Sequence, residues 1–237
     1  MTGSPQRAAF ATLLAGLLLL GACTQRDGPV LPTEPTPNLD LLKQALLQYQ
    51  ASGDYGRDLR AVAGEAARYL EEIDVEGERA AIVLDIDETS LSNWPYLVAN
   101  DIGRIMHGPC DLPEGPCGWV PWAKMADAAP IAPTLELARL AAARGMALFL
   151  ITGRPESQRS ATERNLRAAG YPAWAGLYME PDGATFASAA DFKAPTRRDI
   201  VEQGYTIVLN MGDQLSDLEG GYAERAFKLP NPFYWIP

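Results

Sequence analysis

Two aspartates two residues apart, Asp85 and Asp87, close the run Ala80-Ala81-Ile82-Val83-Leu84-Asp85-Ile86-Asp87-Glu88-Thr89. Alternate side chains of an extended chain share a face, so both carboxylates would leave the carboxyl end of a buried strand together, where α/β folds place their sites. From this segment alone, a strand that ends in an acidic turn is the favoured reading. Two later apolar runs repeat the layout: Met146 to Ile151 leads into Thr152-Gly153-Arg154, and Tyr205 to Met211 leads into Gly212-Asp213-Gln214-Leu215-Ser216-Asp217. Lys193 lies between them, near the start of a predicted helix. Two acid pairs, a hydroxyl and a lysine on one sheet edge are the groups that metal-assisted phosphoryl transfer needs. Taken singly, Lys193 reads as a solvated helix residue, Thr152 as a turn residue, and Arg154 as a surface charge or a phosphate contact.

The elements that must position these groups follow from the pattern. Asn38 can cap a helix with Leu39, Leu42, Ala45, Leu46 and Tyr49 on one stripe, and Tyr55 to Glu72 predicts a second. From Thr134 helices and strands alternate: helix to Arg144, strand Met146 to Ile151, helix Pro155 to Ala169 with Pro at its first position, strand Ala175 to Met179. Helix Asp191 to Gln203, strand Tyr205 to Met211 and a last short strand Ala226 to Leu229 complete the series. This order predicts an α/β fold, a doubly wound parallel sheet with helices on both faces. Residues 90–129, rich in Pro and Trp with weak periodicity, are too long for a plain loop and predict a partly helical insertion over the site.

The four segments Asp85 to Thr89, Ile151 to Arg154, Phe192-Lys193 and Gly212 to Asp217 resemble the four motifs of the haloacid dehalogenase (HAD) superfamily in order and spacing. Within it the chain is similar to the acid phosphatases that include bacterial lipoprotein enzymes (class B/C type) and plant vegetative storage proteins. The segment Phe227 to Pro237 is especially similar to the plant members, and the resemblance runs from Asn38 to the end. It implies a HAD-like fold and an acid phosphatase that hydrolyses small phosphomonoesters, nucleotides among them, through an aspartyl-phosphate. Asp85 would be the nucleophile and Asp87 the proton donor; Thr152 and Gly153 would bind phosphate and Lys193 would balance its charge. Magnesium would be held by Asp85, Asp213 and the backbone carbonyl of Asp87, with Asp217 as a further partner. To donate, Asp87 must start protonated; neighbouring anions favour that and the cation opposes it. A phosphotransferase on the same site, or a weakly active binding or storage protein, are the alternatives.

The N-terminal segment is a processing signal. Residues 1–22 carry Arg7, a core of about 13 apolar residues too short to span a bilayer, and Leu20-Gly21-Ala22-Cys23, which resembles a lipobox with Cys23 as the lipidated residue. Residues 23–37, with Pro29, Pro32, Pro35 and Pro37, read as a tether, and residues 38–237 as the phosphatase domain. The expectation is a lipid-anchored protein of the bacterial envelope on the periplasmic side, with Thr24 leaning it towards the outer membrane. The formal charge of −10 disfavours nucleic-acid polymers as partners. Cys110 and Cys117 read as a disulfide, since export favours oxidation. A zinc site with His107 would lack a fourth ligand, and two free thiols complete the alternatives. Trp94, Tyr96, Trp119 and Trp122 serve either as cap packing or as a stacking surface for the leaving group.

Overall fold

The computed structural model describes residues 36–237. The signal segment, Cys23 and the tether up to residue 35 lie outside the described residues. Asn38 caps α1 (Leu39–Ala51) by accepting from the Leu41 amide, and α2 (Asp54–Glu72) follows. The stripe expected on α1 reaches the core only in part. Leu46 and Tyr49 pack against it, whereas Leu39, Leu42 and Ala45 are exposed.

The central sheet holds five parallel strands in the order β5-β4-β1-β6-β7: β1 (Ala80–Leu84), β4 (Ala147–Pro155), β5 (Gly176–Glu180), β6 (Thr206–Gly212) and β7 (Arg225–Lys228). Five nearly continuous apolar residues in β1 are what a strand buried on both faces requires. Ala80, Ile82 and Leu84 point into a large core shared with α2, with α5 (Ala132–Ala143) and with Leu166 of α6 (Arg159–Ala168). Ala81 and Val83 point into a smaller core with Ile200 of α7 (Ala190–Glu202). The chain leaves β1 towards β4 and β5, then returns through α7 to pair β6 with the other edge of β1. Asp85 therefore stands at the point where the strand order reverses, the usual crevice of a doubly wound sheet.

Residues 90–129 are the expected partly helical insertion. Its ends are pinned by a two-stranded antiparallel ribbon, β2 (Leu91–Ser92) with β3 (Ala129–Pro130), and it contains α3 (Trp94–Ala99) and α4 (Trp119–Met125). Cys110 and Cys117 are joined by a disulfide and His107 is exposed, so the pair is neither a zinc site nor free thiols.

One boundary differs in a way that matters. Pro155 was expected to open a helix; instead β4 runs on to Pro155, which pairs with Glu180, and a short 3-10 turn precedes α6. The register of β4 against β5 shifts between Thr152 and Pro155. A proline, which has no amide to give the ladder, is tolerated at such an irregularity, and the bulge turns Gly153 and Arg154 towards the site.

Candidate active site

A cavity of about 330 Å³ opens at the carboxyl edge of the sheet, lined by Asp85, Asp87, Gly153, Lys193, Asp213 and Asp217 among others. Four sequence segments thus converge as expected. Thr152 stands behind this surface rather than on it: it is buried, and its Oγ1 accepts the Arg154 amide at 3.2 Å, leaving its own proton free to donate.

Lys193 is buried and its ammonium bridges two carboxylates, Asp85 Oδ1 at 2.5 Å and Asp217 Oδ1 at 2.6 Å. Burial alone would push the ammonium towards neutrality; Asp217 and Asp85 outweigh it and hold the lysine charged. Arg197, one helical turn further along the same face of α7, donates to the backbone carbonyls of Asp217 at 2.7 Å and Gly221 at 2.9 Å, so the loop carrying Asp217 is held against α7. Asp217 Oδ2 accepts the Gln214 amide at 2.8 Å. Gly212 makes room for this: a Cβ there would lie 2.4 Å from the Asp217 Cβ.

Among the described residues Asp213 has only neutral donors. Asn231 Nδ2 (2.6 Å) and Gln214 Nε2 (2.5 Å) both donate to Oδ2, and the Thr89 hydroxyl reaches Oδ1 at 3.2 Å. Burial, reinforced by Asp217, pushes the Asp213 carboxyl up to about 7. Asp85 is raised well above the ordinary carboxylate range, by burial first and against the pull of Lys193.

Three buried carboxylates, Asp85, Asp213 and Asp217, bring oxygens within 4.8 Å of one another with one ammonium among them. A second cation is what this all-oxygen, under-compensated cluster lacks, so the donor set fits a hard divalent ion. Asp217, with one oxygen on Lys193 and the other on a backbone amide, is already engaged; Asp213 is the least compensated.

Asp87 departs from expectation. Arg154, read from sequence as a surface charge or phosphate contact, is buried and forks onto Asp87, with Nη2 to Oδ1 at 2.6 Å and Nε to Oδ2 at 3.0 Å. Burial raises the Asp87 pKa, but Arg154, helped by Asn93, overrides it and holds the carboxyl below its ordinary value. The anions around Asp87 therefore do not by themselves keep it protonated.

The opposite wall comes from the insertion and the C-terminal segment. Tyr96 and Trp122 are buried in the core, and Trp94 packs on Phe233, so these three serve as cap packing. Trp119 alone of the four lines the cavity, with the Arg154 guanidinium 5.5 Å from its ring centre. Sequence reasoning missed Glu180, Arg104 and Tyr234, which also line it. Glu180 had a findable signal, since an acid closing β5 ends at the same edge as Asp85. It also missed Glu88 as a working residue. Glu88 is buried, is pushed up to about 7 chiefly by burial, and occupies the left-handed region at φ 54°, turning the chain directly after Asp87.

A family model described as HAD superfamily, subfamily IIIB (Acid phosphatase) matches residues 36–237. The chain is similar to acid phosphatase 1 of Solanum lycopersicum, 33% identical over 80% of this chain and 72% of the relative. It is similar also to the stem 28 kDa glycoprotein of Glycine max, at 31% over 81% of this chain and 74% of that one. Vegetative storage protein 1 of Arabidopsis thaliana is 30% identical, over 78% of this chain and 67% of its own length. Among solved structures, the class C acid phosphatase from Bacillus anthracis shares the fold with a TM-score of 0.63 at 24% identity, covering 83% of this chain and 87% of that one.

Proposed function

The chain belongs to the HAD superfamily, subfamily IIIB, the acid phosphatases, and is a phosphomonoester hydrolase; from that premise we propose a magnesium-dependent enzyme acting on small phosphomonoesters through an aspartyl-phosphate. The observation that carries the proposal is the buried Lys193 between Asp85 and Asp217, with Asp213 beside them and little else to compensate it. A phosphomonoester resists attack because its charges repel nucleophiles, and this cluster supplies both an attacking oxygen and positive charge.

Asp85, Asp213 and the carbonyl of Asp87 would hold the magnesium ion. When bound, the ion supplies charge neutralisation to the phosphoryl oxygens and to the acid cluster. Asp85 attacks phosphorus and the bond to the leaving alcohol breaks, giving an aspartyl-phosphate. Lys193 counters the burial that raises the Asp85 pKa and balances charge on the phosphoryl group, while the Gly153 backbone donates to phosphoryl oxygens and Thr152, expected beside it, stands behind the cavity surface with its Oγ1 accepting the Arg154 amide. Asp87 gives a proton to the departing alkoxide and afterwards takes one from the water that hydrolyses the intermediate. The Arg154 fork sets the condition for the first transfer. An arriving phosphate brings negative charge beside Asp87 and competes for the guanidinium, and both effects raise the Asp87 pKa towards the protonated form.

The leaving group would lie against Trp119 and Tyr234, a surface suited to a planar base or other aromatic alcohol, so nucleoside monophosphates are the proposed substrate class. Cys23 is the proposed lipid attachment, placing the enzyme on the periplasmic side of a bacterial membrane, by preference the outer one. The names of the plant storage relatives raise binding without turnover as a second reading; the carboxylates at positions 85 and 87 speak against it.

The test is hydrolysis of p-nitrophenyl phosphate by chelator-treated protein before and after magnesium is restored. Activity should depend on the ion and fall to background in Asp85→Asn. A folded, ion-loaded wild type without activity, or an Asp85→Asn variant that matches it, would overturn the proposal.

A further inference from the structure

Beyond β7 the chain from Leu229 to Pro237 forms neither strand nor helix. It nonetheless touches the site at one residue after another. Asn231 donates Nδ2 to Asp213 Oδ2 at 2.6 Å, while its Oδ1 accepts the Phe233 amide at 2.9 Å. The second bond fixes the amide: with the oxygen taken, the nitrogen faces Asp213. The Phe233 ring anchors the segment between Tyr55 (5.1 Å) and Trp94 (5.4 Å). Tyr234 donates its hydroxyl to Glu88 Oε2 at 2.6 Å. The same carboxylate receives the Asn93 amide and side chain at 2.6 and 2.9 Å, and Asn93 Nδ2 also reaches Asp87 Oδ1 at 3.0 Å. The Ile236 amide donates to Gln214 Oε1 at 3.1 Å, which leaves Gln214 Nε2 to meet Asp213.

We infer that Asn231 and Tyr234 are positioning residues of the phosphatase site: Asn231 orients the Asp213 carboxylate for a divalent ion, and Tyr234, through Glu88 and Asn93, orients Asp87. The inference rests on the reading above, in which Asp213 helps hold the ion and Asp87 moves the proton. Packing asks for Leu229, Phe233 and the ring of Tyr234, but not for the Asn231 amide or the Tyr234 hydroxyl. The polar side chains on either side of Phe233 are spent on carboxylates of the site, and they act on different ones. Two amide donors converge on Oδ2 of Asp213, so Oδ1, with only the long Thr89 contact, is the oxygen left to face a cation. Partners behind a metal ligand commonly govern ion affinity in this way.

The two residues should therefore fail differently. In Asn231→Ala, divalent-ion affinity measured by calorimetry on the folded protein should weaken roughly 10- to 100-fold, with kcat recovering when magnesium is saturating. In Tyr234→Phe, which keeps the ring and removes only the hydroxyl, kcat should fall roughly 10-fold while ion affinity and KM stay within about twofold of wild type. Thermal unfolding of both variants reports whether Phe233 still anchors the segment. Unchanged ion affinity in Asn231→Ala overturns the inference, as does a parallel loss of affinity, kcat and melting temperature in both variants. A wild type that neither binds a divalent ion nor hydrolyses phosphate esters would instead sink the functional reading beneath it.

Discussion

The sheet edge and the insertion facing it across the cavity hold their side chains by different means. At the sheet edge the backbone is fixed by ladders, and what remains to be settled is charge: Lys193 against Asp85 and Asp217, with Asp213 under-compensated. In the insertion there is little ladder, and asparagine side chains take over the backbone's hydrogen bonds. Asn100 brackets Cys117 through both its amide and carbonyl at 2.8 Å, Asn165 of α6 does the same for Ala128 at 3.1 and 2.8 Å, and Asn93 accepts Trp122 Nε1 at 2.7 Å. One region is therefore sensitive to charge and pH, the other to shape and the loss of individual amides.

Removing the cation should break the first region most. Lys193→Met leaves buried carboxylates unpaired, and activity should drop by roughly 10²- to 10³-fold. Stability should fall by about 3 to 5 kcal/mol at pH 8, read by urea unfolding without ion. A stable, active variant would show that the edge does not depend on its lysine.

Next in size is pH. Glu88 and Asp213 are each pushed up to about 7 in the folded protein, from ordinary values near 4. The fold then binds more protons than the unfolded chain between those values, so the stability contribution is complete below about pH 4 and is lost as pH rises through 7. Shifts of this size correspond to roughly 3 to 4 kcal/mol each. The ion-free protein should melt lower at pH 8 than at pH 5, and a divalent ion should flatten the slope; a flat ion-free profile would contradict the assigned burial of charge.

Arg154 sharpens the comparison because it belongs to both regions, rooted in the β4 bulge and stacked near Trp119. Arg154→Met should lower kcat by roughly 100-fold through misplacement of Asp87. The alkaline limb of kcat/KM should move upward as Asp87, the proton donor, loses the group that held its pKa down, and an unmoved limb would detach Asp87 from that limb. The smallest effect belongs to the insertion alone. Replacing Cys110 and Cys117 by Ser should cost about 2 kcal/mol in denaturant unfolding and leave divalent-ion affinity unchanged.

What could be read from sequence divides along the same line. The strands β1, β4 and β6 announce themselves by apolar runs, and their ends carry Asp85, Thr152 and Asp213 because backbone period alone dictates where those side chains emerge. Lys193 needed only a helix to carry it. Arg154 was misjudged because its burial depends on a register shift in β4, and no local pattern records a bulge that forms only against β5. Asn231 and Tyr234 were out of reach for a related reason. They act across more than 140 residues of sequence in the case of Tyr234 and Glu88, with no secondary structure to bring them there.

The ribbon that closes the insertion has a further consequence. Since Ser92 pairs with Ala129, the chain leaves the sheet edge and returns to it at adjacent points, and the strand ends are blind to how much chain is looped out between them. The segment from residue 95 to 128 is thus a cassette, whereas Asn93, which holds Asp87 and Glu88, and Trp94, which packs on Phe233, belong to the site it hangs from. The cassette could be exchanged or shortened with Asp85, Lys193 and Asp213 left where they are, because none of the three is carried on it.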